Sequence, residues 1–487
     1  MRLLRGGTDA GAETGLSAGP PPEAPRGHAD ARGGHRDAPL GYNDAVRALT
    51  ERGRFGIRLG LGRTRALLAA LGNPERSFRG ALVGGTNGKG SVLALAGAAL
   101  REAGHRVGET PKPHLVSYRE RLVLDGRPVD PDTFARLVRE VLPAADRVAR
   151  RHGDPTEFEL LTAVIFRWFA EAGIDLALVE VGLGGRLDAT HAWDGGVAAI
   201  TNVALDHTDR LGSTVTAIAR EKAAIIERGD LAVTGADGDG LAVIRRRAAR
   251  VGAPLTLAVP ATLLGWDRDG LLVDLPRLGA TRVGLRGRHQ AANVAVADAL
   301  LDALEAAGIA ATPDDARRRG YAAARWPGRL ELVEAAGREV LLDGAHNPAG
   351  AAALAQALDD LRPHLAGGSE LVPPPLTLVI GAMADKDVAG VVAALATSRA
   401  LRGARVIATQ VGLLRALPAA ELAATWGAAA AALGAHVEAI SSVPAALEAA
   451  LGSGVGPVVV AGSLYLVGEV RGMLVDDPAV RDPEEDA

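Results

Sequence analysis

The chain has 487 residues, with 54 Lys and Arg against 58 Asp and Glu and a formal net charge of −4. That balance argues against a nucleic-acid binder or a polybasic membrane-surface protein, and the absence of cysteine excludes disulfides, thiolate metal sites and a cysteine nucleophile. Apolar residues make up 48 %, enough for two or three domains with sizeable cores, but there are only six Phe, five Trp and four Tyr, so Ala, Leu and Val must supply the packing.

Residues 1–40 are rich in Gly, Ala, Pro and Arg and show no apolar period. They lack the apolar stretch of about 7–15 residues that a signal peptide needs, and five arginines are matched by five acids, unlike a transit peptide. The expectation is a disordered tail and a cytoplasmic protein, with no apolar run near the roughly 18–20 residues of a membrane span. From Ala81 onward, short β-branched runs alternate with stretches of helical period. Strands are predicted at Leu176–Val181, Val197–Asn202, Glu339–Leu342, Leu376–Ile380, Ala404–Thr409 and Pro457–Ala461. Helices are predicted at Ser91–Glu102, Phe158–Ala172, Gln290–Ala307, Ala349–Leu361 and Pro418–Leu433. Such alternation means βαβ units and mainly parallel sheets covered on both faces. The stretch Ala311–Arg329, with Pro313, Pro327 and Gly328, reads as a boundary between a larger N-terminal and a smaller C-terminal α/β domain. Expected bounds are 41–325 and 326–475, with an acidic tail over 476–487. Gly367–Pro375 reads as a stiff surface connector.

After the short strand Ala81-Leu82-Val83 comes Gly84-Gly85-Thr86-Asn87-Gly88-Lys89-Gly90-Ser91 and then a helix. Glycines let the backbone wrap an anion and aim N–H groups at it, the helix N-terminus adds a favourable dipole, and Lys89 adds a point charge. The string is not the strict P-loop, because Gly90 separates Lys89 from Ser91. Glu180 and Asp206-His207-Thr208 each follow a predicted strand. Alone, Glu180 reads as an ion-pair partner of Arg186 and His207 as a core histidine. In a parallel sheet, however, the carboxyl ends of strands share one edge, where these groups could meet the loop and a phosphate-bridging Mg²⁺.

The string Gly85–Ser91 resembles the ATP loop of the Mur ligase superfamily. Further blocks are similar to the folylpolyglutamate synthase/dihydrofolate synthase family: Phe158–Thr162, Val179–Thr190, Leu205–Thr208, Glu221–Ala223, His289–Asn293, Trp326–Glu331, Asp343–Pro348, Asp385–Asp387 and Gly462–Leu466. They fall in order over most of residues 55–470. The resemblance implies a P-loop-containing N-terminal ATPase domain with a mainly parallel sheet and a smaller Rossmann-like α/β C-terminal domain. It implies an ATP-dependent ligase that phosphorylates a carboxylate and lets the amine of L-glutamate attack the acyl phosphate, giving ADP and phosphate. The acceptor would be dihydropteroate, a reduced folate carrying glutamate, or both. Asn87, Gly88, Lys89, Gly90 and Ser91 would hold phosphates, Glu180 and His207 would ligate Mg²⁺, and Asn293, Arg329 and Asp343 would contact the nucleotide. A monovalent cation is a further candidate cofactor. Lys222, which local reasoning would make a solvated helix lysine, matches a lysine that is carbamylated in the family.

Gly56, Ile57, Arg58 and Leu59, then Thr156, Glu157, Phe158 and Glu159, then Leu187, Asp188 and Ala189 match segments lining the pteroate site. His346 and Ser463 resemble residues around the incoming glutamate. Asp385-Lys386-Asp387 reads equally as a phosphate or glutamate contact and as a surface ion pair. Two departures stand out. The family's Ser-Pro-His-Leu loop, whose serine serves the magnesium site, is Thr110-Pro111-Lys112-Pro113-His114-Leu115 here. A protonated lysine has no lone pair for a metal, so Lys112 is expected to touch phosphate directly and reduce dependence on a second magnesium, unless Thr110 or Ser117 takes the serine's role. His191 stands where asparagine usually follows Asp-Ala-Thr and bears on acceptor choice. A P-loop kinase would use the same Lys89 but leaves Trp326–Glu331 and Asp343–Pro348 without a task. A peptidoglycan-precursor ligase would carry a further N-terminal domain. A monomer without nucleic-acid or membrane partners is expected.

Overall fold

The computed structural model describes residues 41–53, 60–368 and 370–484. The expected tail over 1–40 and the candidate substrate residues Gly56, Ile57, Arg58 and Leu59 lie outside them. Two α/β lobes follow one another along the chain.

The first lobe is built on β1 (Arg79–Gly84), β2 (Val107–Thr110), β3 (Val123–Leu124), β4 (Arg127–Pro128), β5 (Leu176–Glu180), β6 (Gly196–Ile200), β7 (Leu231–Thr234) and β8 (Leu255–Leu257). Their order is β4-β3-β2-β5-β1-β6-β7-β8. Pairing is parallel from β2 through β8, and antiparallel only at the β2–β3–β4 edge. The strands are almost wholly apolar because both faces are covered. Leu82, Ala177, Val179, Ala198 and Ile200 pack on the side of the helices Pro131–His152 and Glu157–Ala172. Ala81, Val83, Leu176, Leu178, Val197 and Ala199 face the helices Lys89–Glu102 and Gln290–Ala306. The chain leaves β1 towards β2 and β5 on one side and later continues through β6 on the other. The carboxyl ends of β5, β1 and β6 therefore border a topological switch point, the usual ligand crevice of open parallel sheets.

Two of the features of this lobe that were not foreseen bear on its extent. An antiparallel sheet of β9 (Thr262–Asp267), β10 (Gly270–Leu275) and β11 (Gly279–Val283) stands beside the main one. The stretch read as a bare boundary, Ala311–Arg329, carries a helix at Asp314–Ala323. That helix lies against Lys89–Glu102 so closely that a Cβ on Gly320 would collide with the Ala99 main chain.

The second lobe has β12 (Glu331–Ala335), β13 (Arg338–Leu342), β14 (Thr377–Ile380), β15 (Arg405–Ala408), β16 (His436–Ala439) and β17 (Val458–Ala461) in the order β12-β13-β17-β14-β15-β16. Only β12 is antiparallel to its neighbour. Its faces are covered by the helices Pro348–Leu361, Val388–Leu395 and Ala419–Leu433 on one side and Val443–Leu451 and Leu464–Leu474 on the other. All eleven strands and helices predicted above are present, with ends shifted by at most two residues.

The lobes touch away from the crevice as well. Arg288 grips Asp360 through two bonds of 2.6 and 2.8 Å while stacking 4.1 Å from the Trp266 ring centre. Residues 476–484, read from the sequence as an acidic tail, return to the first lobe. There the buried Arg119 donates to the main-chain oxygens of Ala479 at 2.9 Å and Arg481 at 2.8 Å, and to Asp482 Oδ1 at 3.1 Å. Tyr42 and Ser117 hold the same carboxylate at 2.9 and 2.6 Å. No described helix is long and apolar enough to cross a membrane.

Candidate active site

The phosphate loop leaves β1 with Gly85 and Gly88 at φ of 142° and 82°, and the helix begins at Lys89. Glycine is required at Gly88 for a second reason: a Cβ there would run into the Asn293 amide. Asn293 is held by Gln290 at 2.8 Å, and Gln290 reaches Ser91 Oγ at 3.3 Å, so the loop, the helix it opens and Gln290–Ala306 are braced together. Asn87 is fixed by Asn202, which accepts from its N–H and donates to its carbonyl, both at 3.0 Å. Thr201 Oγ1 donates to the same carbonyl at 2.6 Å.

Three lysines converge here. Lys89 Nζ folds back on the carbonyls of Gly85 and Thr86 at 3.2 and 3.0 Å. Lys222, on the helix Val215–Ala223, is buried rather than solvated and donates to Gly85 O at 2.8 Å. Burial, with the charge of Lys89 beside it, lowers the Lys222 pKa to about 7. Lys112 donates from Nζ to Glu180 O at 2.6 Å and from its main chain to Glu180 Oε2 at 2.8 Å. Its pKa falls to about 8, again chiefly through burial, against the pull of Asp188 and Glu180.

Glu180 ends β5 with only 3 % of its surface exposed, and it does not pair with Arg186, which binds Glu221 at 3.0 Å instead. Burial raises its pKa, opposed by Lys89 (3.9 Å from Oε1) and by Lys112. The carboxylate is held by the Lys89 charge at Oε1 and by the Lys112 main-chain N–H at Oε2. His207 caps the short helix Thr208–Leu211 in a left-handed conformation, φ 49°, and burial lowers its pKa. Among the described residues no three His, Asp or Glu side chains form a metal cage. The donor set fits a Mg²⁺ whose remaining ligands are phosphate oxygens and water, the usual habit of that ion.

The second lobe presents its own strand ends to this crevice. Asp343 follows β13, buried, accepting from Leu330 N at 3.0 Å and Ala345 N at 2.9 Å. Burial raises its pKa against the nearby Arg329. Asn347 donates to Asn87 Oδ1 at 3.1 Å and to Asp206 Oδ2 at 3.0 Å. Lys386 Nζ lies 2.8 Å from Asp206 Oδ1 and 3.4 Å from His207 Nε2, and His346 Nε2 is 3.8 Å from Asp206 Oδ2. Burial alone would push Asp206 up, yet His346, Lys386 and the charge of His207 outweigh it and hold the carboxyl well below its usual range. Ser463 caps the helix Leu464–Leu474, accepting from Tyr465 N at 3.2 Å.

Sequence reasoning placed Asp206 at the strand end without giving it a role of its own, passed over Asn202, Gln290 and Asn347 as site residues, and left Lys386 undecided. Their signal was position: Asp206 directly precedes His207, and Asn347 directly follows His346.

Of the expected acceptor residues, Phe158 and Asp188 stand beside Lys112 and Gly182. The Phe158 ring lies under Lys112, 4.7 Å from Nζ to its centre. Thr156 and Glu159 form a capping box at the start of Glu157–Ala172, and Glu159 also accepts from Arg63 at 3.0 Å. Glu157 accepts from the Tyr118 hydroxyl at 2.8 Å. Asp188 pins the glycine loop, accepting from Gly182 N at 3.1 Å and Leu183 N at 2.8 Å, between the half-buried Leu187 and the buried Ala189. His191 is buried against Glu227 at 3.2 Å. Of the two alternatives weighed for the serine's role, Ser117 is engaged with Asp482, and the Thr110 hydroxyl, buried at the end of β2, has no partner among the described residues.

A phosphate loop at the switch point of one parallel sheet, facing the strand ends of a second, defines an ATP-dependent ligase of the Mur type. Residues 328–464 match the family described as Mur ligase, glutamate ligase domain. The chain belongs to the folylpolyglutamate synthase/dihydrofolate synthase family. A dihydrofolate synthase/folylpolyglutamate synthase of Bacillus subtilis is 37 % identical over 315 residues, covering 63 % of this chain and 73 % of that protein. The Mycobacterium tuberculosis folylpolyglutamate synthase complexed with ADP and AMPPCP superposes with a TM-score of 0.77 at 32 % identity, over 91 % of this chain and 100 % of that one. A bifunctional folylpolyglutamate synthase/dihydrofolate synthase with Mn, AMPPNP and L-glutamate bound gives 0.73 at 29 % identity, over 88 % and 98 %.

Proposed function

We propose that this protein joins L-glutamate to the carboxylate of dihydropteroate, of a reduced folate already carrying glutamate, or of both, consuming ATP and releasing ADP and phosphate. The observation that carries the reading is the meeting of two strand-end edges. Lys89 and Lys222 bond Gly85 on one, with Glu180 beside Lys89; Asp343, Asn347 and Lys386 stand on the other, and Asn87 and Asp206 are bonded across.

In this reading residues 41–325 hold the nucleotide phosphates through Asn87–Ser91, and residues 326–475 bring Arg329 and Asp343 to the nucleotide and His346 and Ser463 to glutamate. Glu180 and His207 would hold Mg²⁺, which when bound supplies charge neutralisation to the phosphates. The acceptor carboxylate attacks the γ-phosphorus and ADP leaves. The glutamate amine then attacks the acyl carbon, loses a proton, and displaces phosphate. Contact between the lobes excludes water from the acyl phosphate, which would otherwise hydrolyse.

Lys222 is suited to carbamylation. With a pKa near 7 a large share of its amine is neutral at physiological pH, and only the neutral amine attacks CO₂. The N–C bond forms, one proton leaves to solvent, and the lysine becomes an anionic oxygen donor beside the phosphate loop.

The test is product mass after incubation with MgATP, L-glutamate and either dihydropteroate or tetrahydrofolate, with ADP followed in parallel and glutamate omitted as control. One added glutamyl unit is expected on at least one acceptor. ADP without glutamyl product would return the chain to the phosphotransferase class.

A further inference from the structure

Lys112 stands where two parts of the site meet. Its Nζ touches the Glu180 main chain at 2.6 Å and lies over the Phe158 ring at 4.7 Å. On its far side the Glu180 carboxylate is 3.9 Å from Lys89 of the phosphate loop. Phe158 in turn borders Gly182, its ring 3.0 Å from where a Cβ would lie, and Gly182 is held by Asp188 at 3.1 Å. Lys112 thus shares the Glu180 carboxylate with the phosphate-loop lysine through its main-chain N–H, while its ammonium covers the aromatic ring of the acceptor side.

That ammonium has capacity left. An ammonium carries three N–H donors, and among the described residues the Glu180 carbonyl is the only hydrogen-bond acceptor of Lys112 Nζ. The Phe158 face attracts the charge but accepts no conventional hydrogen bond. A half-buried cation with uncommitted donors is stabilised when an anion joins it.

The reaction brings one. The acceptor must lay a carboxylate against the γ-phosphate, so two anions approach in a partly dry crevice, and a fixed cation between them offsets their repulsion. Resting on the acceptor reading above, we propose that Lys112 binds the reacting carboxylate of the acceptor and positions it against the phosphate held by Lys89. In the step that follows, the carboxylate oxygen bonds to the γ-phosphorus, the bond to the β,γ-bridging oxygen breaks, and its electron pair departs with ADP. No proton moves, and Lys112 keeps its charge throughout. The serine that the family resemblance implies at this position would offer a hydrogen bond without the charge.

The experiment compares equilibrium binding of dihydropteroate with that of its analogue lacking the benzoate carboxylate, using the full chain with ADP and no divalent metal. The wild type is expected to prefer the carboxylate by about ten-fold or more. Lys112→Met is expected to reduce that ratio to about two while leaving affinity for the analogue within two-fold, and Lys112→Arg to retain most of it. An unchanged ratio in Lys112→Met, an equal loss for both ligands, or no preference in the wild type would overturn the inference. The acceptor reading fails separately, through the product-mass assay, if neither dihydropteroate nor tetrahydrofolate gains a glutamyl unit.

Discussion

Asp206 Oδ1 and Lys386 Nζ lie 2.8 Å apart across the two lobes, with side chains only 10 % and 14 % exposed. They are 180 residues apart in the chain, yet the pair sits between His207, proposed above for the metal, and His346, proposed above for glutamate. A pair this shielded is weakly screened, and removing one member leaves the other charge without its partner.

Asp206→Asn and Lys386→Met are therefore each expected to lower kcat/KM for L-glutamate by roughly 10²-fold, about 2.7 kcal/mol of transition-state stabilisation. The double variant should lose little more than either alone, a coupling of about 1–3 kcal/mol. A double-mutant cycle on kcat/KM measures it. Additive losses would mean that the two residues act separately.

Local pattern made the phosphate loop and the strand-end residues legible. Glycines, Lys89 and the helix start fall within eight consecutive residues, and Glu180 closes an apolar run. Partners distant in sequence were another matter. Nothing near Asp206 announces Lys386 or Asn347, and Lys112 reads locally as a loop charge. The strands of β9–β11 escaped because β9 buries none of its residues fully, with Thr262 and Leu264 exposed, and the run Thr262–Asp267 is broken by Gly265. The helix Asp314–Ala323 escaped because it is polar by composition. Its burial depends on Arg317, fully enclosed and bonded to Asp298 at 2.9 Å, and on Gly320 against Ala99. The return of residues 476–484 was invisible for a similar reason: Arg119 binds two main-chain carbonyls there, which no side-chain pattern encodes.

At the phosphate loop, Gly88→Ala combines a positive φ of 82° with a collision against Asn293. The loop must open or Asn293 must move, and either displaces N–H donors aimed at phosphate. ADP affinity is expected to fall by about 10²-fold or more, while the melting temperature changes by only a few degrees because the loop lies outside the core. Titration calorimetry with ADP and a thermal melt separate the two. Wild-type affinity would show that the loop does not hold phosphate in this geometry.

Lys222 links stability to pH. Its folded pKa of about 7 lies below the ordinary 10.5, so between those values the unfolded chain binds more protons than the folded one. Stability therefore rises with pH through this window, and below about pH 7 the full cost of burying the charge is present. Lys222→Met removes the group and its pH dependence. The variant's stability relative to wild type should fall by roughly 1–3 kcal/mol from pH 7 to pH 9, in CO₂-free buffer. Denaturant melts at the two values check the slope. Added bicarbonate should stabilise the wild type alone, since only its amine can form a carbamate.

The C-terminal segment is a strap between the lobes. Arg119, 3 % exposed, donates to Ala479, Arg481 and Asp482, and also to Val129 O of its own lobe at 3.1 Å. Arg119→Met would leave several buried acceptors without a donor, at a cost of about 2–4 kcal/mol. Ending the chain after Val475 would remove most of the same contacts and expose the Arg119 charge to water. The two changes share one set of bonds, so the Arg119→Met substitution should be milder in the shortened chain than in the full one, by about 1–2 kcal/mol. Chemical denaturation of the four chains measures this. Equal effects in both backgrounds would mean that Arg119 acts only within the first lobe, through Val129, and that the strap does not join the lobes.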